Sequence, residues 1–313
     1  CTKMTNMPPI LDVRNLTTHL ASEQGWVHAI EALSLAIEKG QTYALVGESG
    51  CGKSMTALSI ARLLPDSGAI LAGQIKLDGA ASTGQLDVLR ISESAMRNIR
   101  GKRISMIFQE PGTSLNPVMT IGEQLTEVLC LHTGCSKNDA LLQAETWLHK
   151  VGIPEPKARL SQYPFEMSGG QKQRVMIAMA LATKPDLLIA DEPTTALDVA
   201  IQAQVLSLLQ SLQKEQGMAM LLITHDLAIV KQMANTVGLM YAGQLVEVAP
   251  SAVFFKTPRH PYAHALIKSL PSQAQRGMPL YALEGRVPSL VNPPAACRFA
   301  ARCAHAREEC TAQ

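Results

Sequence analysis

The 313-residue chain reads as an α/β protein: a parallel sheet core fronted by a phosphate-binding loop, an antiparallel β-subdomain, a helical subdomain and a C-terminal accessory tail. Three observations predict this. The glycine loop GESGCGKS (47–54) lies between the strand-like run TYALV and the helical run SMTALSIARLL. The runs DLLIADE (186–192) and AMLLITHD (219–226) are continuously apolar and end in acidic or polar residues, as strands buried on both faces of a parallel sheet do. Finally, residues 10–46 alternate apolar and polar, the pattern of antiparallel strands with one wet face.

Taken in order, ILDVRNLTTHL, ALSLAIEKGQTYALVG and GQIKLDG (73–79) supply the antiparallel strands. ISMIFQ ends a further strand at Gln109. Between residues 112 and 165, LNPVMTIGEQLTEVLCLH and ALLQAETWLHKVGI read as amphipathic helices inserted between sheet strands, the body of a helical subdomain over about 112–180. ALDVAIQAQVLSLLQSLQKEQG places Ile201, Val205, Leu208, Leu209 and Leu212 on one helical face and stops at Gly217. TVGLMYAGQLVEVA reads as a hairpin, and proline-bearing stretches from Pro250 onward mark the tail. The predicted division is 1–250 and 251–313.

Composition narrows the function. A net charge of +2 without a Lys/Arg block gives no footprint for duplex nucleic acid or anionic lipid. No apolar run approaches the ~20 residues of a membrane span, and the start CTKMTNMPPILDV lacks a signal-peptide core, so a soluble, cytosolic chain is expected. Opening on Cys1 rather than Met points to a processed or trimmed chain. Of seven cysteines, Cys1, Cys51, Cys130 and Cys135 are scattered and do not form a secreted disulfide framework.

The loop carries the chemistry. Gly47, Gly50, Gly52, Lys53 and Ser54 fit G-x-x-x-x-G-K-S/T: the glycines let backbone N–H groups close on phosphates, Lys53 reaches the β and γ phosphates, and the Ser54 hydroxyl ligates Mg²⁺. Ser49, Cys51 and Met55 complete the nucleotide-binding stretch, with Cys51 a small space-filler. Asp191 at a buried strand end suits Mg²⁺, directly or through water. Glu192 beside it is the candidate base for the attacking water. His225, after the next apolar run, is positioned to meet the γ-phosphate. Gln109 is the analogous strand-end residue, facing either Mg²⁺ or that water. A second anion motif, MSGGQKQR (167–174), puts Ser168, Gly169, Gly170 and Gln171 before a helix.

The order phosphate loop, FQEP, MSGGQ, LLIADEP, ALD and ITHD resembles the nucleotide-binding subunits of ATP-binding cassette (ABC) transporters over about residues 10–250. That resemblance implies a cassette with a RecA-like sheet core, ATP and Mg²⁺ as ligands, and head-to-tail pairing with a second, related ATPase subunit. Ser168, Gly169, Gly170 and Gln171 would then act on the partner's nucleotide, and Asp198 would lie in the loop that speaks across the dimer. The adenine-stacking place holds WVH, leaving Trp26 or His28. HPYAHALIKSLPS (260–272) and the cysteines after it are similar to the tails of importer subunits for oligopeptides, dipeptides, nickel and glutathione. Two membrane permeases, an outer solute-binding protein and a peripheral place on the cytoplasmic face of a bacterial inner membrane are implied, with no nucleic acid. A soluble ABC ATPase would carry two cassettes or other insertions, which are not seen. The spacing of Cys297, Cys303 and Cys310 matches no common metal motif and by itself favours free thiols. The resemblance implies a 4Fe–4S cluster, with a fourth ligand beyond Gln313, at His305 or at a distant cysteine.

Overall fold

In a computed structural model, residues 8–78, 84–195, 197–270 and 282–311 are described; Cys1 and Ala196 of the TTALD stretch lie outside them. In chain order the strands are β1 (Leu11–Ser22), β2 (Gly25–Ile37), β3 (Thr42–Val46), β4 (Gly68–Leu77), β5 (Leu86–Asp87), β6 (Ile104–Ile107), β7 (Leu187–Asp191), β8 (Ala219–Ile223), β9 (Thr236–Tyr241) and β10 (Gln244–Pro250). By contact the chain forms two compact units. One comprises Cys1–Ile37, Thr42–Leu89 and Leu222–Gln313; the other comprises Glu38–Gln41 and Arg90–Leu221.

The first unit holds an antiparallel sheet of order β2-β1-β4-β5. Its β1–β2 ladder is bulged: Thr18 faces Ile30 and Leu20 faces Val27, so β2 carries one extra residue opposite His19. The same unit contains β3, parallel to β9, with β10 antiparallel on the far side of β9. Thus the alternating stretch 10–46 is not one antiparallel system. Its last five residues, TYALV, are all buried and join the parallel pairing, because a strand covered on both faces has no wet side to alternate. The predicted β9–β10 hairpin is present. Its two-residue turn, Ala242 (φ 47) and Gly243 (φ 83), has the paired left-handed conformations that match strand twist.

The second unit pairs β6 with β7 in parallel, Ile104 opposite Leu187 through Ile107 opposite Ala190. Helices Ile121–Thr133, Lys137–Lys150 and Gly169–Leu181 pack on one another beside it. The helix expected from Leu115 starts at Ile121. Thr120 caps it reciprocally with Glu123, and the Gln124 side chain ties up the backbone of Asn116 and Met119, holding 116–119 as a turn. The helix Val199–Gln216 ends at left-handed Gly217 (φ 64) as read, but Leu206, rather than Leu208, joins Val205, Leu209 and Leu212 in the buried stripe. Within the second unit Met220 of β8 donates to the Gln41 carbonyl, and within the first Thr224, just past the strand, donates to the Leu45 carbonyl. Among the described residues no helix is long and apolar enough to cross a membrane.

The C-terminal extension is part of the first unit's core. Phe254, Tyr262 and Phe299 pack with Val46, Leu239 and Tyr241 of β3 and β9, all buried. Phe254 is fully buried, so Phe254→Ala should destabilise the chain by about 3–5 kcal/mol through lost transfer energy and a residual cavity. Urea unfolding followed by circular dichroism checks this; an unchanged midpoint would mean the extension does not share the core.

Candidate functional site

The phosphate loop follows β3 and leads into the helix Lys53–Ala61. Two glycines pack where no side chain fits: a Cβ at Gly47 (φ 154) would strike the Met240 carbonyl, and one at Gly52 (φ 107) the Ala29 carbonyl. Gly50 (φ 77) differs, since a Cβ there would meet nothing within 4 Å. The loop is therefore clamped on its inner side and open on the outer one, with Ser49 and Gly50 exposed. Lys53 is 6% exposed, and its ammonium donates to the Gly47 and Glu48 carbonyls, each at 2.9 Å. A buried cation held by two neutral carbonyls and, at 3.8 Å, by the Cys51 sulfur, in a glycine loop before a helix N-terminus, fits a polyphosphate. Ser54 and Met55 lie half-buried in the first helical turn, and Cys51 is buried. Burial pushes the Cys51 thiol up, in keeping with an inert space-filler.

Also in this unit, His225 is exposed just after β8, and Asp226 caps the following helix Leu227–Met233. Trp26 sits near the end of the β1–β2 hairpin, 50% exposed. His28 is engaged otherwise: its Nδ1 and the Nε2 of His19 both lie 2.7 Å from Glu31 Oε1, and the two imidazoles stack at 3.9 Å. Of the two stacking candidates, Trp26 has the open ring surface. Among the described residues, His19, His28 and Glu31 are the one set of three such side chains close enough to hold a metal ion. Cys297, Cys303 and Cys310 are free thiols outside any such set; the Cys297 N–H donates to the Cys310 carbonyl, and the His305 N–H to Cys303 Sγ.

The second unit carries the carboxylates and the MSGGQ turn. Asp191 closes β7 at 4% exposure. Glu192 has φ 47, a left-handed backbone that a non-glycine residue keeps only where its surroundings enforce it. Its Oε2 accepts from Thr195 Oγ1 at 2.8 Å and from Gln109 Nε2 at 3.3 Å. Thr195 is not read as a partner from the sequence, because it follows the strand-end carboxylates outside any capping-box pattern. Ser168 caps the helix Gly169–Leu181: its Oγ accepts from the Gln171 N–H, while the Gln171 side chain accepts from the Ser168 N–H. The Ser168 hydroxyl proton thus stays available to an anion. Gly169 is exposed with no neighbour to a Cβ, and Gly170 approaches Ile201. Asp198 caps the helix Val199–Gln216 through the Ile201 N–H.

Residues 30–195 match the family described as ABC transporter, and residues 246–310 match the oligopeptide/dipeptide transporter C-terminal region. A Brucella melitensis (biotype 1) protein named as a peptide import ATP-binding protein is 50% identical over 312 residues, 97% of this chain and 92% of that one. The dipeptide transport ATP-binding protein DppD of Bacillus subtilis is 46% identical, covering 95% and 87%. Among solved structures, a dimeric post-hydrolysis state of the ATP-binding cassette MJ0796 bound to ADP and Pi superposes with a TM-score of 0.68 at 25% identity, covering 77% of this chain and 98% of that one.

Glu31 yields a pH prediction. Burial raises its carboxyl, but hydrogen bonds from His19 and His28 and the charges of His28 and Arg298 outweigh this and hold it below the ordinary value. Its stabilisation is therefore complete above the unfolded value near 4.5 and is lost as pH falls through the lower folded value. Glu31→Gln should flatten the acid limb of the stability curve, measured by thermal unfolding between pH 6 and 3. An unchanged acid limb would remove the carboxylate from that role.

Proposed function

Given that this chain belongs to the ABC transporter family of ATP-hydrolysing cassettes, we propose that it powers the import of di- or oligopeptides through a bacterial inner-membrane transporter. The observation that carries the peptide reading is the extension at 246–310, which matches the oligopeptide/dipeptide transporter C-terminal region and shares a core with the phosphate loop's own strand. Two permeases, a second ATPase subunit of related sequence and an outer solute-binding protein complete the machine, and this chain docks at the cytoplasmic face.

In this reading Lys53 and the loop N–H groups of Gly50, Gly52 and their neighbours bind the phosphates and Trp26 stacks on adenine. Ser54, Asp191 and Gln109 would hold Mg²⁺, which would supply charge neutralisation on the phosphate oxygens. Glu192, fixed by Thr195 and Gln109, orients and deprotonates water, and His225 contacts the γ-phosphate. Ser168 and the N-terminus of its helix serve the nucleotide of the partner subunit, with Asp198 at the dimer contact. A 4Fe–4S centre takes four ligands; among the described residues Cys297, Cys303 and Cys310 belong to no close set of possible metal ligands, and no cluster is assigned to them.

Glu192→Gln in the assembled transporter should keep ATP binding and lower turnover by about 10²- to 10⁴-fold, the usual contribution of a general base, while trapping nucleotide. Wild-type turnover from this site would remove Glu192 from the role. The peptide assignment is checked by reconstituting the permeases that co-purify with the chain: stimulation of ATPase by a peptide-loaded binding protein supports it, and stimulation only by a metal-loaded one contradicts it.

A further inference from the structure

Glu48, second residue of the phosphate loop, is held from three directions, and two of the holds come from the C-terminal extension. Its N–H donates to Tyr262 Oη at 3.0 Å. Its carboxylate receives Arg302 Nη1 at 2.9 and 3.1 Å. Its carbonyl accepts the Lys53 ammonium. Arg302 is no loose surface partner: its side chain is 6% exposed, its Nε donates to the Glu284 carbonyl, and its guanidinium lies over the Tyr241 ring. Tyr262 is fully buried between Tyr241 and Phe299. Because the arginine side chain is buried and fixed while Glu48 is 30% exposed, this ion pair is screened less than a fully exposed one.

The chemistry of the loop gives the contacts a purpose. A carboxylate in a polyphosphate-binding loop repels the ligand, and Arg302 both neutralises it and turns it aside. When Lys53 leaves the Glu48 carbonyl for a phosphate, Tyr262 and Arg302 are the holds that remain. We propose that Arg302 and Tyr262 are positioning residues of the ATP site, so that the C-terminal extension sets, through Glu48, the loop shape and charge that receive nucleotide. This rests on the reading of residues 47–54 as the nucleotide loop.

The test uses the full chain assembled with its membrane partners. Arg302→Met should raise the KM for ATP about 10-fold, the effect of an uncompensated charge near the phosphates, with kcat changed less than about 2-fold, as expected when binding alone is lost. Arg302→Lys should recover part of the affinity. Combined with Arg302→Met, Glu48→Gln should bring KM back toward wild type, since the repelling charge is gone. A merely structural arginine would not be rescued by neutralising the loop. Tyr262→Phe, which keeps the packing, should raise KM several-fold and carries the test should Arg302→Met fail to fold. An unchanged KM in Arg302→Met and Tyr262→Phe, or absence of rescue by Glu48→Gln, overturns the proposal. Retention of ATP binding by Lys53→Ala would instead overturn the nucleotide-loop reading beneath it.

Discussion

The phosphate loop depends on one backbone constraint: between the end of β3 at Val46 and the helix that starts at Lys53 the chain must turn within six residues. Only residues able to take left-handed conformations allow this, and Gly47, Gly50 and Gly52 all have positive φ. Two of them also need to be glycine for space, since the Met240 and Ala29 carbonyls occupy the room a side chain would fill. The loop's shape is thus set by β9 and β2 as much as by its own sequence. Around it, β3 is buried along its whole length, which gives the loop a rigid base, and Lys53 fills the cradle with charge.

The same unit explains why an extension follows the cassette. Tail aromatics share a core with β3 and β9, the Leu290 carbonyl accepts the His28 N–H, and the Arg298 guanidinium donates to the Ala242 carbonyl in the β9–β10 turn. These contacts reach three segments that touch the phosphate loop or the hairpin before it. A tail attached in this way is a part of the body that carries the phosphate loop.

Contiguous features were legible in the sequence, and distant pairings were not. GESGCGKS between a strand and a helix, the buried runs ending at Asp191 and before His225, and Gly217 as a helix stop each signal themselves within a few residues. The Arg302–Glu48 pair spans 254 positions, and no local pattern connects its ends. The His19, His28 and Glu31 grouping depends on an extra residue in β2 and on left-handed Ala32, which break the two-residue alternation from which strand faces are read. Likewise, TYALV followed an alternating stretch closely enough to be read with it, although its burial on both faces belongs to the parallel pairing.

The proposal gives the chain two anion-binding termini, the phosphate loop and the Ser168 helix, each serving a different nucleotide in a paired assembly. Gly170 decides the matter, because a carboxylate at the second position of that helix favours the helix itself while repelling a phosphate. The most direct measurement compares Gly170→Asp with wild type, both as the isolated chain and in the assembled transporter. The account predicts unchanged ATP affinity in the isolated chain and loss of ATPase in the assembly. Equal loss of ATP binding by the isolated chain would contradict it and place the Ser168 helix at the chain's own nucleotide.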